Sequence, residues 1–403
     1  MKICIVGGGT AGWMAAAHIE RHIPESTITL IESPTIPIIG VGESSLPQLR
    51  NFFNELGIDD DTWVSECNGL IKNGNEKVSW NGDDDRFKFT FWYDANGLDD
   101  WLDDYQKYNL PKESLNDKFY SDKGWQGYAY HLDAELIPTL LKKYTERTTH
   151  IIDTIEVLPK GYDLYLDCTG FKRKFVRDRK FIDLTSRGHI VNKAWVQSFK
   201  LNEKPYNYTE SVALDYGWQF NIDTREKRGC GYVFASQFCT TEQALQYFQE
   251  YNSDYEPYQG SEPRLLEWTS GFLDNPWQGN IVALGLTSGF IEPLESNALY
   301  MIQYSITNLV KTIKRNYNPQ SYNKVMKKLW LHNSDFLLHL YKLSPRNDTD
   351  FWRYYQKDNT DLTLWQNYIK HNNKWISLYP SSMWANVAVL YDEFSKKSQY
   401  ATV

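Results

Sequence analysis

The sequence predicts an α/β fold with α+β elements, and three observations support that prediction. A β-branched run at residues 3–6 leads into a glycine-rich loop and a helical stretch, and residues 28–32 follow as a second strand. Short apolar runs bounded by glycine turns are typical of buried parallel strands. Beyond residue 312 the pattern becomes helical and aromatic. We therefore expect a βαβ opening, an inserted β-sheet and a C-terminal helical region.

The residues after this opening alternate between helical and strand-like patterns. Apolar spacing near 3.6 residues indicates helices, whereas short apolar or alternating runs indicate strands. The predicted helices are 12–22, 46–56, 134–147 and one from about residue 295 onward. The predicted strands are 87–93, 164–166, 195–200, 211–221, 231–237 and 281–284, and Pro345 and Pro380 mark breaks in the C-terminal region.

Length and charge exclude several classes of function. The 403 residues suit roughly two to three domain-sized units, and the formal net charge is −8. Nucleic-acid binding needs clustered Lys and Arg to release counterions, so the acidic balance argues against it. No apolar run approaches membrane-spanning length, and the run from Met1 into the first strand leaves no room for a signal peptide. We expect a soluble, cytoplasmic protein that binds neither nucleic acid nor membrane.

The cysteine and aromatic content further limits the possible kinds of site. The five cysteines are odd in number and scattered, without metal-ligand spacing. We therefore predict neither a disulfide framework nor a metal site. Aromatic residues make up 15% of the chain, which suits core packing, a stacking wall for an aromatic substrate, or a self-association surface of a homo-oligomer.

Residues 7–12, GGGTAG, match the dinucleotide-binding pattern G-x-G-x-x-G between a strand and a helix. Gly7 permits the tight turn, Gly9 lets backbone N–H groups approach a pyrophosphate, and Gly12 lets the helix pack closely on the strand. The N-terminus of that helix offers its positive end to phosphates. Glu32 ends the second strand 20 residues after Gly12, where a carboxylate accepts hydrogen bonds from a ribose.

The loop alone leaves FAD and NAD open, because both contain the same adenosine half. Two later strand–turn segments, 167–170 (DCTG) and 283–289 (ALGLTSG), are expected to return to the same sheet. A flavin must be held from its adenine to its isoalloxazine ring, so these segments favour FAD. No separate NAD(P)H module is recognisable, so reduced flavin is expected to arrive from a reductase partner or free in solution.

Several motifs occur in a fixed order along the chain. The first loop continues as Trp13-Met14, which a generic dinucleotide loop does not require. The later motifs are 32–33 (ES), 39–44 (IGVGES), 128–134 (YAYHLDA), 167–171 (DCTGF), 290–296 (FIEPLES) and 346–352 (RNDTDFW). Together they resemble the flavin-dependent halogenases of the tryptophan halogenase family, over roughly residues 1–355.

This resemblance implies a FAD-binding, Rossmann-like βαβ domain of the flavin monooxygenase type. We expect that domain over residues 1–315, assembled from the segments 1–80, 134–195 and 260–315. The segments 81–133 and 195–260 are then the inserted β-sheet substrate domain, and 316–403 is the C-terminal helical substrate or lid region.

The resemblance also implies a reaction. In the family, reduced FAD and O2 convert halide to hypohalous acid, which moves through the protein to a lysine. Lys72, in the setting 68–72 (NGLIK), matches that lysine and would hold the oxidant by hydrogen bonding or as a haloamine. Glu295 matches the glutamate that polarises the halogen and stabilises the cationic intermediate of aromatic substitution. The other implied positions are Ser296 for the substrate and the backbone N–H groups of Asn297 and Ala298 for the halide.

The cofactors implied are FAD, supplied as FADH2 by a transiently bound flavin reductase, together with O2 and a halide ion. The choice among chloride, bromide and iodide stays open. The residues matched to flavin contacts are Gly7, Gly8, Gly9, Thr10, Ala11, Gly12, Trp13, Glu32, Ser33, Ile39, Val41, Gly42, Ser44, Val196, Leu286 and Leu299.

The sequence departs from the family pattern in three respects. The signature Trp-x-Trp-x-Ile-Pro appears as 218–223 (WQFNID), so Phe220 replaces the second Trp and Asp223 replaces the Pro. Asn297 and Ala298 replace the usual Thr-Gly. The chain is also shorter than members that act on free tryptophan. We therefore expect another electron-rich aromatic or heteroaromatic substrate, indole-like or phenolic.

Two alternatives remain open at this point. In the first, the altered segment 218–223 lets the flavin oxygenate an aromatic substrate directly, as in a flavin monooxygenase. In the second, the chain binds flavin but is catalytically silent and serves as a carrier or interaction module.

Overall fold

The computed structural model describes residues 1–37, 40–82, 86–90, 129–316 and 318–357. Its strands are β1 Lys2–Val6, β2 Thr27–Glu32, β3 Glu43–Ser44, β4 Leu70–Lys72, β5 Gly74–Val78, β6 Arg86–Thr90, β7 Ala129–Leu132, β8 Thr148–Ile152, β9 Leu164–Asp167, β10 Phe181–Asp183, β11 Lys193–Lys200, β12 Tyr208–Leu214, β13 Gly217–Asp223, β14 Lys227–Phe234, β15 Arg264–Glu267, β16 Gly271–Leu273, β17 Trp277–Gln278, β18 Ile281–Ala283 and β19 Gly289–Phe290. Its helices are α1 Thr10–His22, α2 Gln48–Glu55, α3 Asp60–Glu66, α4 Leu136–Lys142, α5 Thr241–Tyr251, α6 Ala298–Lys314, α7 Pro319–Leu343 and α8 Asp350–Gln356.

Some predictions fall outside the described residues. They concern Ile39, Tyr128, the end of the predicted strand at 91–93, and Pro380. The domain limits proposed from the sequence stay predictions. The mixed α/β class is confirmed, with parallel strands and C-terminal helices both present.

The first sheet contains the predicted βαβ opening. Its strand order is β17-β18-β9-β1-β2-β8, with β1 paired in parallel to β2 and β9. Ile3 and Ile5 are completely buried on β1, because helices cover a parallel sheet and its strands need apolar side chains. The carboxyl end of β1 feeds the glycine loop directly, so this sheet positions the predicted cofactor site.

The second sheet is the predicted insertion, in the order β15-β11-β14-β13-β12-β5-β6. The single strand predicted at 211–221 is wrong. Those residues instead form the antiparallel hairpin of β12 and β13, in which Ser211 lies opposite Phe220. Asp215 and Tyr216 form the two-residue turn between these strands. Gly217 begins β13, where a Cβ would lie 1.9 Å from the Val233 carbonyl oxygen of β14.

A small three-stranded sheet, β3-β7-β4, brings three distant segments together. Ser44 on β3 lies opposite His131 on β7, and Lys72 on β4 lies opposite Ala129. Parts of two sequence motifs, Glu43–Ser44 and Ala129–Leu132, therefore share a sheet with the predicted catalytic lysine.

The helices differ from prediction mainly at their ends. The helix expected from residue 295 begins instead at Ala298, because Glu295 and Ser296 have left-handed backbone conformations, with φ of 68° and 58°. The helix predicted at 134–147 is limited to α4, and α3 and α5 were not predicted. Within the described part of the chain, none of the helices is long and apolar enough to cross a bilayer.

Candidate functional site

The glycine loop has the geometry of a phosphate-binding turn. Gly7 has a φ of +118°, and a Cβ on Gly12 would lie 1.9 Å from the Gly7 carbonyl oxygen. A Cβ on Gly9 would meet nothing within 4 Å. The space above Gly9 and the N-terminus of α1 is therefore open to an anionic ligand, whose charge the helix dipole favours.

A large cavity extends from this loop across the molecule. Its volume is about 620 Å³, and it lies between the first sheet and the strands β11, β12 and β13. The predicted cofactor residues on its wall are Gly7, Gly8, Gly9, Thr10, Ala11, Glu32, Ser33, Val41, Gly42, Ser44, Val196, Leu286 and Leu299. Glu295, Ser296 and Ala298 line the same cavity. The glycine loop and the turn that carries Glu295 therefore line one continuous space.

Four of the predicted positions that the structure describes lie outside the cavity wall: Gly12, Trp13, Lys72 and Asn297. Gly12 allows the close packing of α1 on β1. Trp13 is buried, with its ring edge-on to His150 at 4.9 Å between centroids. The Asn297 side chain donates hydrogen bonds to the Leu294 carbonyl and to Asn333.

Glu32, for which the sequence predicted a ribose contact, lines the cavity at the end of β2. Its carboxylate accepts a hydrogen bond from His150 at 2.8 Å and lies 3.2 Å from the Lys142 ammonium. These partners fix the side chain at the end of β2, beside the loop.

Trp218 and Phe220 both line the cavity, at centroids 6.2 Å apart. The Trp218 indole donates to the buried carboxyl of Glu292 at 3.2 Å, and the Tyr341 hydroxyl donates to the same oxygen at 2.6 Å. Burial raises the pKa of Glu292 to about 7. Phe220 packs over Gly231, where a Cβ would lie 2.2 Å from its ring. Both aromatic rings are thus firmly held against the cavity.

Asp223, which stands where the family has Pro, has a structural role. Its carboxylate accepts hydrogen bonds from Arg228 at 2.6 and 3.0 Å and from the Tyr206 backbone N–H at 2.9 Å. An ion pair therefore stabilises the end of β13, at the position where the family has a proline.

Glu295 and Ser296 form a strained turn directly before α6. Two consecutive non-glycine residues with positive φ each cost about 1–3 kcal/mol, a cost that persists where the surrounding structure holds the geometry. The turn directs both side chains to the cavity wall and presents the N-terminus of α6 there. The first turn of α6 contains no acidic residue, so its backbone N–H groups can attract an anion.

Lys72 lies immediately behind this turn. Its ammonium nitrogen donates to Ser296 Oγ at 2.9 Å and to the Ser45 carbonyl at 3.2 Å, and the side chain is fully buried. Burial lowers the pKa of Lys72 well below its usual value, although the Glu295 carboxylate opposes that shift; the Lys77 ammonium adds to it. The amine is thus suited to the neutral, nucleophilic form.

Glu295 is bound by a second lysine, Lys77, to which the sequence assigned no role. Lys77 forms a buried ion pair with Oε1 of Glu295, and Asn75 donates to Oε2 at 2.7 Å. Asn75 and Lys77 are two positions apart on β5, so their side chains lie on the same face of the strand. The alternation was visible in the sequence, but the partner 218 residues away was not.

Glu43 is a further cavity residue that the sequence did not single out. It lies in the 39–44 motif between two predicted flavin contacts and lines the cavity. Burial raises the pKa of Glu43 to about 7. A carboxyl that changes charge near neutral pH beside a cofactor cavity is a candidate functional group.

One group of metal-type ligands occurs in the described part of the chain, formed by His18, His22 and Glu55. His18 and His22 are one turn apart on α1, and His22 lies 3.6 Å from the Glu55 carboxylate on α2. These residues are separate from the cavity wall. The absence of a metal site stays a prediction.

Comparisons with known proteins agree on one family. The sequence model of a family described as tryptophan halogenase matches residues 2–400. Tryptophan 7-halogenase RebH of Lentzea aerocolonigenes is 29% identical over 421 residues, which cover 87% of this chain and 78% of that protein. Tryptophan 6-halogenase SttH of Streptomyces toxytricini is 28% identical, with 87% and 80% covered. Among solved structures, a flavin-dependent halogenase from Xanthomonas campestris has a TM-score of 0.87 at 25% identity, covering 97% of this chain and 88% of that one.

Proposed function

Because the chain belongs to the tryptophan halogenase family, we propose that it halogenates an electron-rich aromatic or heteroaromatic compound through Lys72. The chain is a flavin-dependent halogenase, an oxidoreductase that uses FADH2, O2 and halide. The comparisons do not favour the monooxygenase or the silent flavin-binding alternative. The observation that most supports the role of Lys72 is its hydrogen bond to Ser296 on the cavity wall.

The described residues fit FAD. The pyrophosphate would lie over Gly9 at the N-terminus of α1, and Glu32 would contact the adenosine ribose. Val41, Gly42 and Val196 line the cavity further from the loop, where the rest of the cofactor would pack. When bound and reduced, the flavin supplies the redox chemistry that converts halide to hypohalous acid with O2.

The halide would bind at the turn before α6. The backbone N–H groups of Asn297 and Ala298 stand at the positive end of that helix, which favours an anion. Asn297 turns its side chain into the core, so it leaves the cavity side of the turn open. The Ala298 methyl group, in place of a glycine hydrogen, narrows the approach to this backbone.

Lys72 would receive the oxidised halogen and hold it for transfer. A neutral amine can hydrogen-bond hypohalous acid or form a haloamine with it, and burial favours the neutral amine. Lys72 itself is fully buried and lies outside the cavity wall. Ser296 lines the cavity and accepts a hydrogen bond from the Lys72 amine, so we propose that hypohalous acid reaches the amine beside this hydroxyl.

Glu295 would stabilise the cation formed when an aromatic carbon attacks the halogen. Its two oxygens are bound separately by Lys77 and Asn75, which keeps the carboxylate oriented before the reaction begins. A preoriented charge in a water-poor site stabilises developing opposite charge more strongly than solvent does.

The substrate and partners are proposed at the level of chemical class. We infer an indole-like or phenolic substrate other than free tryptophan. The names of RebH and SttH specify tryptophan for those two proteins. A separate flavin reductase would supply FADH2 transiently. We propose that the protein is cytoplasmic and that it self-associates.

The experiment that tests this function is mass spectrometry of an aromatic panel incubated with FAD, a reductase, O2 and each halide in turn. We expect halide-dependent products that carry one halogen atom. A halide-independent product that contains one oxygen from O2 would instead establish the monooxygenase alternative.

Lys72→Met tests the lysine within the same assay. We expect halogenation to be lost while FAD still binds. Lys88→Met is the matched control, because Lys88 stacks on Tyr208 at 4.8 Å outside the cavity wall, and we expect it to remain active. Full turnover by Lys72→Met would overturn the assignment of this lysine.

A further inference from the structure

Lys72 is the first member of a continuous chain of buried hydrogen bonds. Lys72 contacts Ser296 Oγ at 2.9 Å, and Ser296 contacts Ser44 Oγ at 2.9 Å. Ser44 contacts Thr209 Oγ1 at 2.7 Å, and Thr209 contacts His131 Nε2 at 2.8 Å. None of these five side chains is more than 7% exposed. Five separate segments of the chain contribute to this array.

The far end of the chain determines the direction of every hydrogen bond in it. His131 Nδ1 lies 2.8 Å from the Asp223 backbone carbonyl oxygen, which can only accept, so Nδ1 carries the hydrogen. Burial lowers the pKa of His131 to about 3, with a smaller contribution from the Lys72 charge. The ring is therefore neutral near pH 7, and its Nε2 is an acceptor.

The hydroxyl groups then follow in order. Each hydroxyl has a single hydrogen to donate, so Thr209 must donate to His131 and cannot donate to Ser44. Ser44 therefore donates to Thr209, and Ser296 donates to Ser44. Ser296 is left to accept from Lys72 rather than to donate to the nitrogen lone pair.

We propose that His131 and Thr209 are positioning residues that fix this direction, so that Ser296 accepts from the Lys72 amine and does not mask its lone pair. This inference rests on the proposed role of Lys72. The opposite direction would arise if Nε2 of His131 were the donor. Ser296 would then donate to the lone pair that must meet the electrophilic halogen, and the amine would be a weaker acceptor of halogen.

Thr209→Val tests the proposal because valine has nearly the same shape as threonine but lacks the hydroxyl. Thr209→Ser is the matched control, since it keeps the hydroxyl and loses only a methyl group. The assay supplies FADH2 and bromide and measures two products, the brominated aromatic substrate and a soluble scavenger that traps released hypobromous acid.

We expect Thr209→Val to shift product from the substrate to the scavenger, with kcat for substrate bromination reduced about tenfold, as loss of one directed hydrogen bond allows. FAD affinity and KM for the substrate are expected to change much less, and Thr209→Ser is expected to restore the wild-type ratio. A purely structural role would lower both products together.

Two outcomes separate the inference from the function on which it rests. If Lys72→Met abolishes substrate bromination but Thr209→Val partitions bromine as the wild type does, the hydrogen-bond direction is irrelevant and the inference is wrong. If Lys72→Met itself brominates normally, the proposed function of Lys72 fails first. His131→Phe, which also removes the acceptor, is expected to resemble Thr209→Val, and a wild-type partition in a folded His131→Phe would overturn the proposal as well.

Discussion

Replacing Lys77 by Met is expected to destabilise the fold strongly. The Lys77 and Glu295 side chains are 0% and 2% exposed, so Met would leave a buried carboxylate without its cation. Removing one partner of a buried ion pair costs about 3–5 kcal/mol. The Asn75 amide still binds the carboxylate, and a hydrogen bond to a charged group contributes about 1.5–3 kcal/mol. We therefore expect a loss near the lower end, about 3 kcal/mol.

Urea denaturation of the wild type and Lys77→Met measures this loss directly. The double variant Lys77→Met/Glu295→Gln is the control, because it removes the orphaned charge while keeping the volume of both side chains. We expect the double variant to recover much of the stability that Lys77→Met loses, because the effects of mutations at contacting residues are not additive. A loss below about 1 kcal/mol, the size typical of an exposed ion pair, would refute the reasoning.

Two further predictions concern charge. Because burial lowers the pKa of Lys72, the unfolded chain holds a proton that the folded chain lacks between that lowered value and about 10.4. In this window the free energy of unfolding of the wild type should therefore rise with pH more steeply than that of Lys72→Met, by up to about 1.4 kcal/mol per pH unit. Denaturation series in which both proteins show the same dependence on pH would contradict this prediction. Because the pKa of Glu43 is raised to about 7, its ionisation as pH rises through that value should weaken binding of anionic FAD, and fluorescence titration of Glu43→Gln should lack this pH dependence.

The conformation of the glycine loop could be predicted from the sequence because its signals are local. A glycine loop, the strand before it and the acid at the end of β2 lie within about one βαβ unit, whose geometry is fixed by short-range rules. The loop therefore appears in the structure with its expected turn at Gly7 and close packing at Gly12.

The surroundings of Lys72 could not be predicted in the same way. Lys77 and Glu295, or Thr209 and His131, are far apart in sequence. Lys77 lies on β5 and Glu295 in the turn before α6, while Thr209 lies on β12 and His131 on β7 of another sheet, so only tertiary packing brings the partners together. The hairpin at β12 and β13 was missed for a related reason, since alternation alone does not separate one long strand from two short ones when the turn is brief. Long-range pairing, not local propensity, decides these contacts.

The most direct test of the account measures where the oxidised halogen goes in Lys72→Met. Reactions contain FADH2, O2, bromide, an indole or phenol substrate identified from the panel, and a scavenger of hypobromous acid. We predict that Lys72→Met still brominates the scavenger, because halide oxidation at the flavin is intact, but no longer brominates the substrate. Substrate bromination at the wild-type rate would contradict transfer through Lys72.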